Sequence, residues 1–375
     1  MSIQHSQFSP DATLVAAIED VFARKVGVVD PTAHENRRDQ TGFDKFPARM
    51  AVGLSAGPDS AALAICAAHI GRRYDLRVML FHIHHGLMPQ ADAWTVKAQG
   101  LAELLGLVLH TKHVQVDLGQ GIGVEGAARK ARYDALAKMA HENGVNCVLL
   151  AHHMQDQAET LLHRMLRGTG VAGAAGMRAE VPFKTPGPAQ DSLFEGRWLR
   201  PWLYVDRRRI LRCVEQFESA TGWAAVQDPS NSDTRFARGV IREQLAPIMA
   251  LHWPGWVHSL ARHTEQAREA ADLLHEYGQL LLQKVQNLDG TLDLRAWRAL
   301  GASQQSLVIR TWLVMASVQM PSQRALADLC RQLNQVHAHG HDRALSWRKA
   351  GCEITCVRGK IHLQVTMESF GSGFF

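Results

Sequence analysis

Met50-Ala51-Val52-Gly53-Leu54-Ser55-Ala56-Gly57-Pro58-Asp59-Ser60-Ala61-Ala62-Leu63-Ala64-Ile65 decides the fold class. It spells a short buried strand, a tight small-residue turn and an Ala-rich helix. Such a turn leaves backbone N–H groups unpaired at a helix N-terminus, aimed at one spot, where the helix dipole favours an anion, most often a phosphate. Gly57 lets the backbone approach that anion closely, and Pro58 suits a first helical position, where its missing N–H costs nothing. Ser55 and Ser60 add hydroxyls. A carboxylate beside a phosphate needs a cation between them, so Asp59 reads as a magnesium ligand, directly or through water. The loop is not a Walker A turn, which carries a Lys before its final hydroxyl residue. A plain strand-to-helix turn, capped by Asp59 or Ser60, is the competing reading of these six residues alone.

Outward from this turn, strand-like runs at 49–54, 77–83, 108–114 and 147–151 alternate with helical stretches near 59–71, 90–105 and 123–143. Such alternation predicts βαβ units and a parallel sheet, with ligands at the carboxyl ends of the strands. Ser55, His84, the 111–117 segment and His152 fall at or just past those ends and can line one crevice. Residues 1–48 read as an N-terminal helix (about 11–25) and a polar connector, and 49–231 as the nucleotide-binding domain. The Pro-, Gly- and Ser-rich segment 181–196 reads as a loop or insertion. From about 232 the pattern becomes amphipathic over 235–250, 256–288 and 302–335. It then alternates in short runs at 343–349, 353–357 and 361–365, with a turn at Gly359-Lys360. A mainly helical domain with a small terminal meander, 232–375, is expected.

The 375 residues suit two domains or three. No apolar run approaches the ~18 residues of a membrane span, and the acidic N-terminal stretch lacks the basic start of a signal peptide. A cytoplasmic protein with no membrane partner is expected. The six cysteines have no CxxC spacing and read as reduced, mostly buried thiols. Net charge is only +5, but arginines are dense at 197–212 and again at 235–242. That density suits a polyanion such as nucleotide phosphates or RNA, with a solvated helix face as the alternative for about half of them. His84, His85, His152 and His153 lack the HxxxH or HExxH spacing of helical zinc ligands and read as packing or hydrogen-bonding groups. His337, His339 and His341 read as a solvated loop, and the tryptophans at 253, 256, 297 and 312 as core.

Four further stretches accompany the turn: Phe81-His82-Ile83-His84-His85-Gly86-Leu87 leading to Asp92 and Trp94; Gly123 to Tyr133; His152-His153-Met154-Gln155-Asp156-Gln157-Ala158-Glu159-Thr160 running on to Arg164, Arg167 and Gly168; and Asp228-Pro229-Ser230-Asn231 before Arg235, Phe236, Arg238, Ile241 and Arg242. In this order and combination, over roughly residues 45–365, they resemble the tRNA(Ile)-lysidine synthetases of the PP-loop (N-type ATP pyrophosphatase) superfamily. The resemblance implies an α/β fold: a parallel-sheet, adenine nucleotide alpha hydrolase-like domain followed by a mainly helical tRNA-holding domain. It also implies a reaction. ATP adenylates the C2 oxygen of the wobble cytidine of the CAU-anticodon isoleucine tRNA and releases pyrophosphate. The ε-amine of free L-lysine then displaces AMP to give lysidine. ATP and Mg2+ are the implied cofactors, and a homodimer is plausible.

On this reading Ser55, Ala56, Gly57, Pro58, Asp59, Ser60 and His84 take ATP. Asp59, Asp156, Glu159 and Arg238 serve catalysis, with Asp59 and Asp156 as magnesium ligands. Arg129, Arg132, Tyr133, Arg167 and Arg242 contact the tRNA, and Tyr133 can stack on a base or sit in the helix–sheet interface. Asp156 and Glu159, three apart at a helix start, can share magnesium, orient the cytosine, bind the lysine ammonium, or only complement the helix dipole. The chain departs from the family pattern at Ala56, where a second Gly is usual, at Gln155, where an Asp often stands, and at Gly239, where Asn is common. It ends near where the first of two C-terminal domains of longer members finishes, so it reads as the shorter architecture. A PP-loop tRNA thiolase, an inactive tRNA-binding paralogue and a glutamine-dependent amide ligase are the alternatives. The first needs redox-active or cluster-ligating cysteines, and the third a glutaminase domain.

Overall fold

The computed structural model describes residues 8–23, 47–86, 89–117, 123–186, 193–229, 233–336, 345–349 and 351–365. His337, His339 and His341, like Ser230 and Asn231, lie outside them. Two compact units are formed, Met1–Glu265 and Gln266–Phe375. The division thus falls beyond 231/232, because the segment after 232 packs on the first unit.

In the first unit, chain order is α1 (Ala12–Ala23), β1 (Arg49–Gly53), α2 (Pro58–Tyr74), β2 (Arg77–His84), α3 (Ala91–Leu105), β3 (Val108–His113), α4 (Gly123–Glu142), β4 (Cys147–Leu149), α5 (Met154–Leu166), α6 (Val171–Ala174), β5 (Glu180–Pro186), β6 (Leu193–Leu199) and α7 (Arg207–Thr221). Then α8 (Ala237–Val240) runs through a π-turn, Ile241–Leu245, into α9 (Ala246–His252), and α10 (Trp256–Val285) follows, its residues from Gln266 on belonging to the second unit. The sheet order is β3-β2-β1-β4-β6-β5. All pairings are parallel except β5 with β6. From β1 the chain builds outward through β2 and β3, then returns to the other flank of β1 with β4. The β1/β4 boundary is therefore the topological switch point, the place where sheets of this kind bind ligands beyond the carboxyl ends of their strands.

The sequence explains these elements. Residues 78–83 of β2 are buried in an unbroken run, as a parallel strand covered on both faces requires. The alanines of α2 (Ala61, Ala62, Ala64, Ala67, Ala68) are almost wholly buried, and their small size brings the helix close to the sheet. α1 docks on this layer, and its Leu14 carbonyl accepts from the buried Trp202 indole at 3.1 Å.

The segment expected to be a loop, 181–196, is instead mostly the β5–β6 hairpin (residues 187–192 lie outside the described part). Pro182 and Pro186 are tolerated because β5 is the sheet edge, where a missing N–H breaks no ladder. Gly196 has its own reason. A Cβ there would come within 2.2 Å of the Phe183 ring, which lies across it and stacks on Trp198 at 4.2 Å. The π-turn has a local cause too. Pro247 cannot donate to the carbonyl four residues back, and widening the turn avoids the clash.

The second unit carries β7 (Leu292–Asp293), α11 (Leu294–Arg298), α12 (Ala302–Met315), α13 (Gln323–Gln335), β8 (Leu345–Lys349), β9 (Cys352–Val357) and β10 (Lys360–Val365). Its antiparallel sheet runs β7-β10-β9-β8. Strand β9 shows period-two burial, with Cys352, Ile354 and Cys356 inward beside Trp297, Trp312 and Trp347. The core reading of the tryptophans thus holds for 256, 297 and 312, whereas Trp253 is 64% exposed. Among the described residues no helix is long and apolar enough to cross a membrane.

Candidate active site

The turn after β1 is closed by its own hydroxyls. The Ser55 N–H donates to Ser60 Oγ (3.1 Å), Ser60 Oγ donates to the Gly57 carbonyl (3.1 Å), and the two serine oxygens stand 3.0 Å apart. Gly57 is extended (φ −73°) and precedes Pro58, the first helical residue. The left-handed residue is Ala56, at φ +63°, fully buried, its carbonyl accepting from Val226 N–H at 2.9 Å. Ala56 thus bears backbone strain of about 1 kcal/mol that a Gly would not. Its buried methyl and its lower unfolded-state entropy offset that by a similar amount. Ala56→Gly is therefore expected to change stability by less than about 1 kcal/mol, read from the urea midpoint, although the site is fully buried.

Asp59 meets a partner that the sequence reading did not assign to the site. Arg207, the first residue of α7, grips it with both Nε and Nη2, each 3.2 Å from one carboxylate oxygen. On the other flank stands His153, which caps α5. Its Nδ1 accepts from the Asp156 N–H (3.3 Å), and Asp156 Oδ2 in turn accepts from the His153 N–H (3.1 Å). The capping bond leaves the ring proton on Nε2, which faces Asp59 (3.6 Å) and Asp156 (3.4 Å). His153 Nε2 thus stands between the two carboxylates.

Asp156 and Glu159 share one arginine. Arg242, in the π-turn, donates from Nε to both Glu159 oxygens (2.9 and 2.8 Å) and from Nη2 to Asp156 Oδ1 (3.0 Å). Gln155 adds a bond to Glu159 at 3.2 Å. Glu159 is wholly buried. Burial raises its pKa, Arg242 opposes the rise, and Asp156 adds to it. For Asp156 burial also pushes upward, but His153, His152 and Arg242 outweigh it and hold the carboxyl at about 2 rather than 3.8. A depressed folded pKa stabilises above the unfolded value and is lost as pH falls through the folded one. Asp156 thus contributes roughly 2 kcal/mol above about pH 4, and this disappears toward pH 2. The difference in urea midpoint between the wild type and Asp156→Asn is expected to narrow below about pH 4. A gap independent of pH would contradict the assignment.

Arg238 reaches α5 through Thr160 (Nη2 to Oγ1, 3.0 Å). It belongs to a field of arginines with Arg129 and Arg132 on α4, Arg164 on α5 and Arg200 after β6. Burial, with Arg200, Arg129 and Arg132 nearby, pushes His152 well below the ordinary histidine range, so it is neutral. Its Nδ1 is buried without a hydrogen-bond partner. His84 bonds Asp92 at 3.0 Å and stacks on His113 at 4.4 Å.

Several expectations change. Tyr133 is 2% exposed, meets Trp198 edge-on at 5.2 Å and accepts from Arg200, so it is an interface tyrosine and not a stacking platform for RNA. Arg242, expected on tRNA, is engaged by Asp156 and Glu159. Arg167 is exposed at the far end of α5, about 16 Å along the axis from Asp156. Gly239 is required by space, since a Cβ would lie 2.0 Å from the Asp233 carbonyl oxygen. Asp59 and Asp156 remain hard oxygen donors on the two sides of His153. Among the described residues no three His, Cys, Asp or Glu side chains are grouped to hold a metal alone. Carboxylate oxygens are the kind of donor that magnesium takes beside substrate phosphates.

A phosphate-binding turn without a lysine, at the switch point of a parallel sheet, with acids at the start of the facing helix, defines a PP-loop domain. The family model described as a PP-loop domain matches residues 32–249, and one described as the TilS substrate binding domain matches 292–362. The tRNA(Ile)-lysidine synthase of Bordetella pertussis is 45% identical over 321 residues, covering 85% of this chain and 97% of that protein. Those of Ralstonia nicotianae and Pseudomonas aeruginosa are each 37% identical, over 84% and 70% of this chain and 64% and 58% of theirs. The chain belongs to the tRNA(Ile)-lysidine synthase family.

Proposed function

We propose that the chain joins free L-lysine to C2 of the wobble cytidine of the CAU-anticodon isoleucine tRNA at the expense of ATP. The observation that carries this reading is the meeting of the 55–60 turn with Asp156, Glu159 and the arginine field at one end of one sheet, in a chain of this family.

In the first step the C2 oxygen attacks the α-phosphorus and pyrophosphate leaves. The turn's N–H groups and hydroxyls receive the departing phosphates, where charge develops. Asp59 and Asp156 would hold magnesium, which when bound neutralises phosphate charge. In the second step the lysine ε-amine attacks C2, AMP leaves and the amine gives up a proton. Neutral His152 offers a hydrogen-bonding nitrogen there. Its depressed pKa makes it a poor base, so its role is to orient. Arg129, Arg132 and Arg238 face the RNA phosphates, for which the guanidinium fork is suited. Arg242 holds Glu159 and Asp156 in place; Glu159 is wholly buried, so Asp156 is the acid of the pair that meets the cytosine or the lysine ammonium.

Base thiolation has no support at this site. Cys66, Cys147 and Cys213 are buried within the packed layers, and all six cysteines are free thiols. The test is pyrophosphate release from magnesium-ATP and lysine, with and without the CAU isoleucine tRNA. Release that requires this tRNA is expected, and equal release without it would overturn the reading.

A further inference from the structure

The phosphate turn poses a charge problem. Between Ser55 and Ser60 there is no Lys or Arg, and the one charged residue is the acid Asp59. A pyrophosphate leaving group carries several negative charges, so beyond what magnesium would neutralise, side-chain positive charge must reach the turn from another element. Arg242 is not paired with the turn: its Nε and Nη2 bond Glu159 and Asp156, both on α5. Arg238 is turned to Thr160 on the same helix. Arg207 differs. It enters from the first turn of α7, touches a residue of the turn itself and keeps 35% of its side chain exposed. It uses Nε and Nη2 on Asp59, and among the described residues Nη1 has no hydrogen-bond partner.

We propose that Arg207 supplies from α7 the cation that a Walker-type loop carries as its lysine. It holds the Asp59 carboxylate through Nε and Nη2, and presents Nη1 to the β- and γ-phosphate oxygens of ATP and then to pyrophosphate. The proposal rests on the ATP-dependent reading above and adds a phosphate ligand to it. A guanidinium suits both tasks, since its fork can bridge a carboxylate and a phosphate that would otherwise repel each other.

The test needs neither tRNA nor lysine, so it is independent of whether lysidine is the product. Binding of ATP, inorganic pyrophosphate and AMP to the full-length protein is measured calorimetrically with magnesium, for wild type, Arg207→Gln and Arg207→Lys. The glutamine variant is expected to bind ATP and pyrophosphate at least about tenfold more weakly, the size of a lost charge-assisted hydrogen bond. AMP, which lacks both outer phosphates, is expected to bind as to wild type. The lysine variant, a point charge without the fork, is expected to fall between wild type and glutamine for pyrophosphate. Unchanged pyrophosphate affinity in the glutamine variant overturns the proposal, as does an equal loss for all three ligands, which would mark a purely structural ion pair. Should the glutamine variant not fold, the lysine variant decides: pyrophosphate affinity equal to wild type overturns the proposal, and a loss confined to ATP and pyrophosphate supports it.

Discussion

Arg242→Ala is expected to cost about 3–5 kcal/mol of folding stability, the largest loss of any single side chain at this site. Three hydrogen bonds vanish, but the greater effect is what they leave behind. Glu159 is wholly buried and Asp156 nearly so, and neither can turn to water for its lost counter-charge. An uncompensated buried carboxylate costs several kcal/mol, whereas an exposed ion pair is worth at most about 1. Against a total stability of about 5–15 kcal/mol, such a loss takes the domain close to unfolding. Urea denaturation at pH 7 measures it. Adding Glu159→Gln and Asp156→Asn to Arg242→Ala is expected to recover part of the loss, because the stranded charges go with it. A loss under about 1 kcal/mol, or no recovery, would show that the cluster is solvated and not buried.

Asp59→Ala is expected to do the opposite: little to the fold, nearly everything to turnover. Asp59 is a quarter exposed, and its pair with Arg207 is partly open to solvent, so stability changes by no more than about 1 kcal/mol. The carboxylate nevertheless sits in the phosphate turn itself. Its removal is expected to lower tRNA-dependent pyrophosphate release on the order of 100- to 1,000-fold, as for other single groups that face developing charge. Steady-state release, with circular dichroism to confirm folding, separates the two effects. A variant with more than about a tenth of wild-type turnover would exclude Asp59 from the phosphate chemistry.

How much of this was legible follows from what each residue needs. Strands β1 to β4 and the helices between them are written as apolar runs broken by polar turns, and the structure keeps those bounds within a few residues. The β5–β6 hairpin was not legible, because three prolines and two glycines within 181–196 argue for a loop unless the strand is known to be an edge. Without β6 there was no reason to see Asp206 as the N-cap of α7, and so no reason to single out Arg207 from its arginine-dense neighbourhood. Its bond to Asp59 spans 148 residues, and nothing local encodes it. Arg238 and Arg242, four apart, both reach α5. Spacing could not say that the acids at 156 and 159, more than 80 residues earlier, already occupy the second of them. Tyr133 shows the same limit, since only the packing of α4 against Trp198 separates an interface tyrosine from a stacking one. At Ala56, where the family usually has Gly, the structure keeps the positive φ that a Gly would take freely.

The most direct test of the account is nucleoside analysis by mass spectrometry of the CAU isoleucine tRNA after incubation with the protein, magnesium-ATP and isotopically labelled lysine. Lysidine carrying the label, formed only when ATP is present and absent with Asp59→Ala, is the predicted result. An unmodified wobble cytidine, in a protein that binds ATP and this tRNA, would contradict it.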